Sequence, residues 1–251
     1  MPKVLTLHYI ICSLAKIKSA PVNWLEKAWY SKGKLNYLLF PLSVLFWLIA
    51  TLRKFLFLVG IKKQNTFPIP VIVVGNISVG GTGKTPFVIY LVELLRKQGF
   101  TPAIVSRGYG AEPETKTNIQ SKFPRLITKD THVSLSGDEP KLLALRTSCP
   151  VVIDANRSRA VEFVVNNTHC DVIISDDGLQ HYAMGRDLEI VITDESRGLG
   201  NGWLLPVGPL RELPSRLNSV DLVISNSGFL SDNHSNKDYS LFADQAFNLF
   251  D

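Results

Sequence analysis

The chain has 251 residues, 45% of them hydrophobic, and a formal net charge of +5. That length can bury a sizeable core and allows one large α/β domain, alone or with an appendage, which excludes a small scaffold held by disulfides or metal. Cys12, Cys149 and Cys170 are odd in number and far apart, without a Cys-x-x-Cys pair, and read as reduced structural thiols of a cytosolic protein.

The charge is concentrated at one end. Residues 1–70 hold ten Lys/Arg and one acid, Glu26, a net of +9, while the remainder holds 17 bases and 21 acids, a net of −4. Residues 1–20 make a poor signal peptide, because Lys16 and Lys18 stand where a cleavage site needs small neutral residues. A basic segment points to nucleic acid or to an anionic membrane surface. The uncharged, mostly apolar run Leu35–Leu52 favours the membrane. As a helix it would be about 27 Å long, near the thickness of a bilayer core. Arg53-Lys54 and Lys62-Lys63 follow, and Trp24, Trp29, Tyr30 and Tyr37 stand close by as interfacial anchors would. A buried core helix is the alternative, favoured by Pro41 and the Arg53-Lys54 pair. Both a span and a helix lying in the interface fit the pattern. The division expected is a membrane-associating segment at 1–66 and an α/β domain at 67–251.

After Pro68-Ile-Pro70 the pattern becomes one of short apolar β-rich runs alternating with helical stretches. Val71–Gly75 reads as a strand, Pro86–Gln98 as a helix ended by Gly99, and Thr101–Ser106 as a strand. Residues 107–136 read as an irregular polar insert. Glu139–Arg146 and Ser158–Asn167 read as helices, and Val151–Asp154, Val172–Ser175, Leu188–Thr193 and Leu222–Ser225 as strands, with a Gly/Pro-rich loop over 196–216. Such alternation predicts an α/β fold, a mostly parallel sheet covered by helices on both faces.

Between the first strand and the first helix lies Ser78-Val79-Gly80-Gly81-Thr82-Gly83-Lys84-Thr85. A glycine-dense turn that opens a helix with Lys-Thr is the chemistry of a phosphate cradle. Backbone N–H groups and the helix N-terminus face the phosphates, Lys84 reaches the terminal ones, and the Thr85 hydroxyl is placed for Mg²⁺. The usual pattern has Gly where this chain has Ser78. Val172-Ile-Ile-Ser-Asp-Asp-Gly178 ends a strand in Asp176 and Asp177, suited to metal beside a phosphate loop; alone, Asp-Asp-Gly is a common turn. Asp138 and Glu139 begin a helix, and read equally as dipole-favoured first-turn acids and as a base or metal-orienting pair. Arg107, after the second strand, and Arg157 and Arg159, at a helix start, point towards the same sheet edge, where arginines suit phosphate or transition-state charge. His181 reads as structural. No Ser-His-Asp set, Cys-His pair or Cys/His metal cluster is recognisable.

Taken together, these stretches resemble one family, the tetraacyldisaccharide 4'-kinases of lipid A synthesis. The likeness rests on Val74-Gly-Asn-Ile-Ser-Val-Gly-Gly-Thr-Gly-Lys-Thr-Pro86, Ser106-Arg-Gly-Tyr-Gly110, Gly137-Asp-Glu-Pro140, Ser175-Asp-Asp-Gly-Leu-Gln-His181, Arg186-Asp-Leu-Glu-Ile-Val191 and Gly200-Asn-Gly-Trp-Leu-Leu-Pro-Val-Gly-Pro-Leu-Arg-Glu212, in the family's order. The resemblance implies a P-loop kinase preceded by a membrane anchor. Such an enzyme transfers the γ-phosphate of ATP, with Mg²⁺, to the 4'-hydroxyl of a lipid-linked disaccharide at the cytoplasmic face of the inner membrane. It implies that Ser78 to Thr85 hold ATP with Glu212 in the nucleotide pocket, and that Asp138 activates the sugar hydroxyl. Lys84 and Arg159 then act on the phosphates, Thr85, Glu139, Asp176 and Asp177 surround the metal, and Arg107 faces the acceptor. Partners implied are the lipid acceptor and an anionic membrane surface, with no nucleic acid and no obligate protein partner. Members of the family usually extend further at the carboxyl end, where a histidine pairs with the catalytic Asp; this chain therefore reads as lacking that part. A membrane-bound ATPase switch of the partitioning type is the alternative, but it places Lys where this chain has Val79. A nucleic-acid-binding protein, the third reading, conflicts with the apolar run.

Overall fold

The computed structural model describes residues 26–27, 29–30, 38–111, 123–226 and 238–239. Residues 1–20, Trp24, Tyr37, His234, the middle of the 107–136 insert and most of the chain after 226 lie outside the described residues.

Eight strands form one sheet: β1 (Val71–Gly75), β2 (Pro102–Ser106), β3 (Arg125–Ile127), β4 (Val151–Ile153), β5 (Val172–Asp176), β6 (Leu188–Asp194), β7 (Leu222–Asn226) and β8 (Asp238–Tyr239). Their order is β3-β4-β2-β5-β1-β6-β7-β8, with every pairing parallel except the antiparallel β3–β4. Among the described residues the α-helices that build the domain are α1 (Phe40–Leu58), α2 (Lys84–Lys97), the four-residue α3 (Val133–Ser136), α4 (Asp138–Thr147) and α5 (Arg157–Asn167).

The central strands are apolar on both faces because both are covered. On one face Phe87, Val88, Leu91 and Val92 of α2 and Leu143 and Ala144 of α4 pack onto Val74, Ile104 and Ile174. On the other, Ala160, Val161 and Val164 of α5 pack onto Val73, Val105 and Ile173. Each such side chain taken fully from water contributes roughly 1.5–3 kcal/mol. The chain passes from β1 to β2 over the position that β5 later fills, so β1 lies between β5 and β6. The carboxyl ends of β1 and β5 therefore emerge side by side, where ligands bind in open α/β sheets.

The expected elements are present with ends shifted by one or two residues, except in two places. The insert is not wholly irregular: it contains β3 and α3. The apolar helix begins at Phe40, five residues later than the uncharged run, and continues through Arg53 and Lys54 to Leu58.

Nor is that helix a core element. In α1 only Ser43 is buried, its Oγ donating to Leu204 O at 2.9 Å. Phe40 meets the edge of Trp203 at 5.4 Å between ring centroids, and Phe57 lies 6.1 Å from the Tyr182 ring. Trp29 Nε1 donates to Pro206 O at 2.9 Å and braces the same loop. Elsewhere the helix exposes Leu45, Leu48, Leu52 and Phe55, each more than half accessible. At 19 residues it is about 28 Å long, and it is apolar enough to cross a membrane by length and composition. Exposure on this scale is a binding surface or an insertion surface for something apolar.

Candidate active site

The phosphate loop is built in two halves. Its first half is a piece of extended ribbon: Ser78 bridges Leu210, Val79 N–H donates to Pro209 O at 2.8 Å, and Arg211 N–H donates to Ile77 O at 2.7 Å. Ser78 therefore needs no glycine backbone, which accounts for its departure from the usual pattern. The Val79 amide is committed to Pro209, so phosphate-facing amides must come from Gly80 onward. In the second half, Gly80 and Gly83 have φ of +123° and +84°, conformations that suit glycine. Gly83 caps α2, whose first residues are Lys84 and Thr85, with Pro86 in the first turn.

Loop and sheet edge open into a cleft of about 1340 Å³. It is lined by Val79 to Pro86, Ser106, Arg107, Tyr109, Asp138, Glu139, Arg157, Asp176, Asp177, Gln180, Tyr182, Arg211 and Glu212. Phe46, Ile49, Ala50 and Arg53 of α1 form part of its wall. Of the candidate site residues expected from sequence, Ser78 and Arg159 do not line it, and neither does His181, which reads as structural.

The two adjacent aspartates have opposite environments. Burial pushes the Asp176 carboxyl up to about 6, and the negative charges of Glu139 and Asp177 add to the rise. Its Oδ2 accepts from Ser106 Oγ at 3.4 Å, while its Oδ1 is buried without a hydrogen-bond partner. Burial would also raise Asp177, but Lys84 and Arg211 outweigh it and hold that carboxyl below the usual range. Lys84 Nζ is 3.6 Å from Asp177 Oδ1, and Arg211 Nη1 is 3.1 Å from Oδ2. Asp177 stands at φ +50°, a backbone conformation uncommon outside glycine, which turns it away from the line of β5.

These donors fit a hard divalent cation. An unsatisfied buried carboxylate oxygen at Asp176, with Glu139 acting on it and the Thr85 hydroxyl on the same cleft, is an oxygen-only set. Among the described residues no three His, Cys, Asp or Glu side chains form a closed metal cluster. A cation held by one or two carboxylates, water and phosphate oxygens needs no such cluster.

Arg157 and Arg159, both expected at the sheet edge, have different surroundings. Arg159 is half exposed, and its guanidinium makes a two-point pair with the buried Asp154, at 2.5 Å (Nε–Oδ2) and 2.9 Å (Nη2–Oδ1). Arg157 is buried and lines the cleft, donating to Asp154 O and Asp176 O at 3.0 Å each. Burial lowers it to about 10, so it remains charged near neutral pH. In sequence Arg157 carries the same expectation as Arg159, a cation at the sheet edge.

Glu212 is fixed on all sides. Gln180 Nε2 and Tyr182 Oη each donate to it at 2.8 Å, and Arg216 Nε lies 3.3 Å away. Asp138 and Glu139 open α4 after Gly137, which has φ +79° and whose Cβ would lie 2.3 Å from Tyr109 O. Close approach of these two backbones brings the Ser106–Gly110 and Gly137–Glu139 turns to one rim of the cleft.

The tetraacyldisaccharide-1-P 4'-kinase family model matches residues 35–248. The chain belongs to that family. It is 55% identical to a tetraacyldisaccharide 4'-kinase of Haemophilus influenzae over 200 residues, 80% of this chain and 58% of the relative. It is 50% identical to that of Mannheimia succiniciproducens over 223 residues, 89% of this chain and 66% of the relative. A crystal structure of LpxK from Aquifex aeolicus in complex with ATP matches with a TM-score of 0.68 at 31% identity, covering 83% of this chain and 65% of that one. The chain thus spans less than two thirds of the length of these 4'-kinase relatives.

Proposed function

We propose that this chain transfers the γ-phosphate of ATP to the 4'-hydroxyl of a tetraacyldisaccharide 1-phosphate, a lipid A precursor, at the cytoplasmic face of the inner membrane. One observation carries the reading: a single cleft has a phosphate loop on one side and an exposed apolar helix on another.

In this account Gly80 to Thr85 hold the phosphates, with Glu212 in the nucleotide pocket. Thr85, Asp176 and Glu139 would hold Mg²⁺, which when bound neutralises charge on the phosphate oxygens. Asp177 keeps Lys84 poised until phosphate takes over that cation. Lys84 and Arg157 then face the charge on the transferring group, and Arg107 faces the acceptor. Arg159 braces Asp154 at the start of α5, in place of the phosphate contact expected from sequence. Asp138 accepts the proton of the 4'-hydroxyl while that oxygen bonds to the γ-phosphorus. The bond from phosphorus to the β,γ-bridging oxygen breaks and ADP leaves. Little covalent chemistry is asked of the protein; positioning and charge do the catalysis. The outward side of α1, with the basic residues around it, would rest in or on an anionic bilayer.

The test is product analysis. The chain is incubated in detergent with ATP, Mg²⁺ and the tetraacyl acceptor, and the lipid is examined by mass spectrometry and phosphorus NMR. A second phosphate at the 4' position is expected. Phosphate appearing only in water, at a rate indifferent to lipid, would favour the ATPase switch.

A further inference from the structure

The two charges of α1 are placed against expectation for a membrane-seeking helix. At 100° per residue, Leu45, Leu48, Leu52 and Phe55 form one exposed apolar stripe. Arg53 and Lys54 lie off that stripe, roughly 120–140° round from its centre, and keep part of their surface exposed. Arg53 lines the active-site cleft, and Lys54 lines a neighbouring cavity of about 300 Å³. A cation in an apolar helix is costly in lipid and is expected to face a polar cavity with a function there.

Along the cleft the same face of α1 reads Phe46, Ile49, Ala50, Arg53. It passes from apolar to cationic over seven residues, about 10 Å of helix. The Arg53 side chain makes no ion pair or hydrogen bond among the described residues, whereas those of Lys84 and Arg211 are engaged by Asp177. Nucleotide phosphates belong at the Gly80–Thr85 loop. An arginine on the α1 wall of the same cleft, outside that loop, is available to a second anion, one carried by an amphiphile whose chains run along Phe46 and Ile49.

We infer that Arg53 is a specificity-determining residue that binds a phosphate group of the lipid acceptor itself. The inference rests on the kinase reading, in which the acceptor bears a phosphate at the far end from the hydroxyl that reacts. A planar guanidinium suits a phosphate monoester through paired N–H donors, which lysine cannot reproduce.

The test is equilibrium binding of the full 251-residue chain in neutral-detergent micelles. The probes are the tetraacyldisaccharide 1-phosphate and the same lipid with its phosphate removed, each titrated against wild type, Arg53→Lys and Arg53→Gln. Wild type should prefer the phosphorylated lipid by tenfold or more. Arg53→Gln should abolish that preference and leave both the affinity for the dephosphorylated lipid and the Kd for MgATP unchanged. Arg53→Lys should fall between. A preference that survives in Arg53→Gln overturns the inference, as does equal weakening of both lipids, which would mark a packing role. If the variant loses binding only when anionic phospholipid is added, the arginine reads bilayer headgroups and the inference also fails. Removing a charge from α1 cannot weaken its partition into neutral micelles, so that effect cannot imitate the result. A wild type that binds neither lipid would instead overturn the kinase reading before any variant is compared. Circular dichroism confirms that each variant is folded.

Discussion

Lys84 Nζ stands 3.6 Å from Asp177 Oδ1, and the same carboxylate also takes Arg211. The loop lysine is thus held at the mouth of the cradle by an acid of the neighbouring strand. Two cations and one carboxylate leave positive charge facing the cleft, where phosphate would gather it. Lys84→Ala should abolish γ-phosphate transfer while the far-ultraviolet circular dichroism stays that of the parent. A folded variant with a near-parental transfer rate would remove Lys84 from the mechanism.

Asp138 should act on turnover more than on nucleotide affinity. It opens α4 on the rim of the cleft, outside the glycine loop, and is exposed to an incoming hydroxyl. Asp138→Asn should therefore lower the transfer rate by two or more orders of magnitude, the usual reach of a general base. The Kd for MgATP should change less than tenfold, about 1.4 kcal/mol. The opposite split, weak binding with intact turnover, would make Asp138 a nucleotide or metal ligand.

Gly137 should not tolerate a side chain. Its positive φ disfavours other residues, and a Cβ would meet Tyr109 O at 2.3 Å, a backbone atom that cannot swing aside. Gly137→Ala should cost about 2 kcal/mol or more in urea unfolding. It should also lower transfer, because the start of α4 carries Asp138. An unchanged midpoint would show that the two turns separate freely.

His181 should make the fold weaken in acid. Burial, helped by Arg157, Arg53, Arg107 and Arg186, lowers its pKa to about 4 from an ordinary 6.5. The folded state thus holds the neutral ring, and its contribution to stability is complete above pH 6.5. As pH falls from 6.5 towards 4 the unfolded chain takes up a proton that the folded chain refuses, and stability is lost. The loss from this group should be on the order of 1–2 kcal/mol, after discounting for solvent that reaches the ring. Urea midpoints at pH 7 and pH 4.5 should differ less in His181→Asn than in the parent. An identical difference would show that His181 does not set the slope.

Much of this was legible because local pattern and chemistry coincide. Val71–Gly75 is a strand with the residues expected, since five consecutive apolar and glycine positions suit a strand buried on both faces. Asp176, Asp177 and Lys84 fall together because a strand end and a loop after the adjacent strand meet at one edge. What was not legible depends on partners distant in the chain. Arg125-Leu-Ile127 carries no period of its own and becomes β3 only through antiparallel pairing with Val151–Ile153. Spacing could not tell Arg157 from Arg159, because the distinction lies in Asp154, which captures one guanidinium and leaves the other to face Asp176. The outer limit of α1 was misplaced because Arg53 and Lys54 look like a stop in sequence. In the fold they face cavities, and the helix runs through them.

The central claim is that one cleft joins a nucleotide loop to a membrane-seeking helix. The most direct measurement compares the parent with a chain lacking residues 1–62. That cut spares Asn65, whose N–H donates to Ala183 O at 2.8 Å and whose O accepts from Gly185 N–H. Co-sedimentation with anionic vesicles, transfer to the lipid acceptor and MgATP binding are measured on both. The account predicts that the shortened chain stays in the supernatant, loses lipid transfer and keeps its affinity for MgATP. A shortened chain that pellets as fully as the parent and phosphorylates lipid as fast would contradict it.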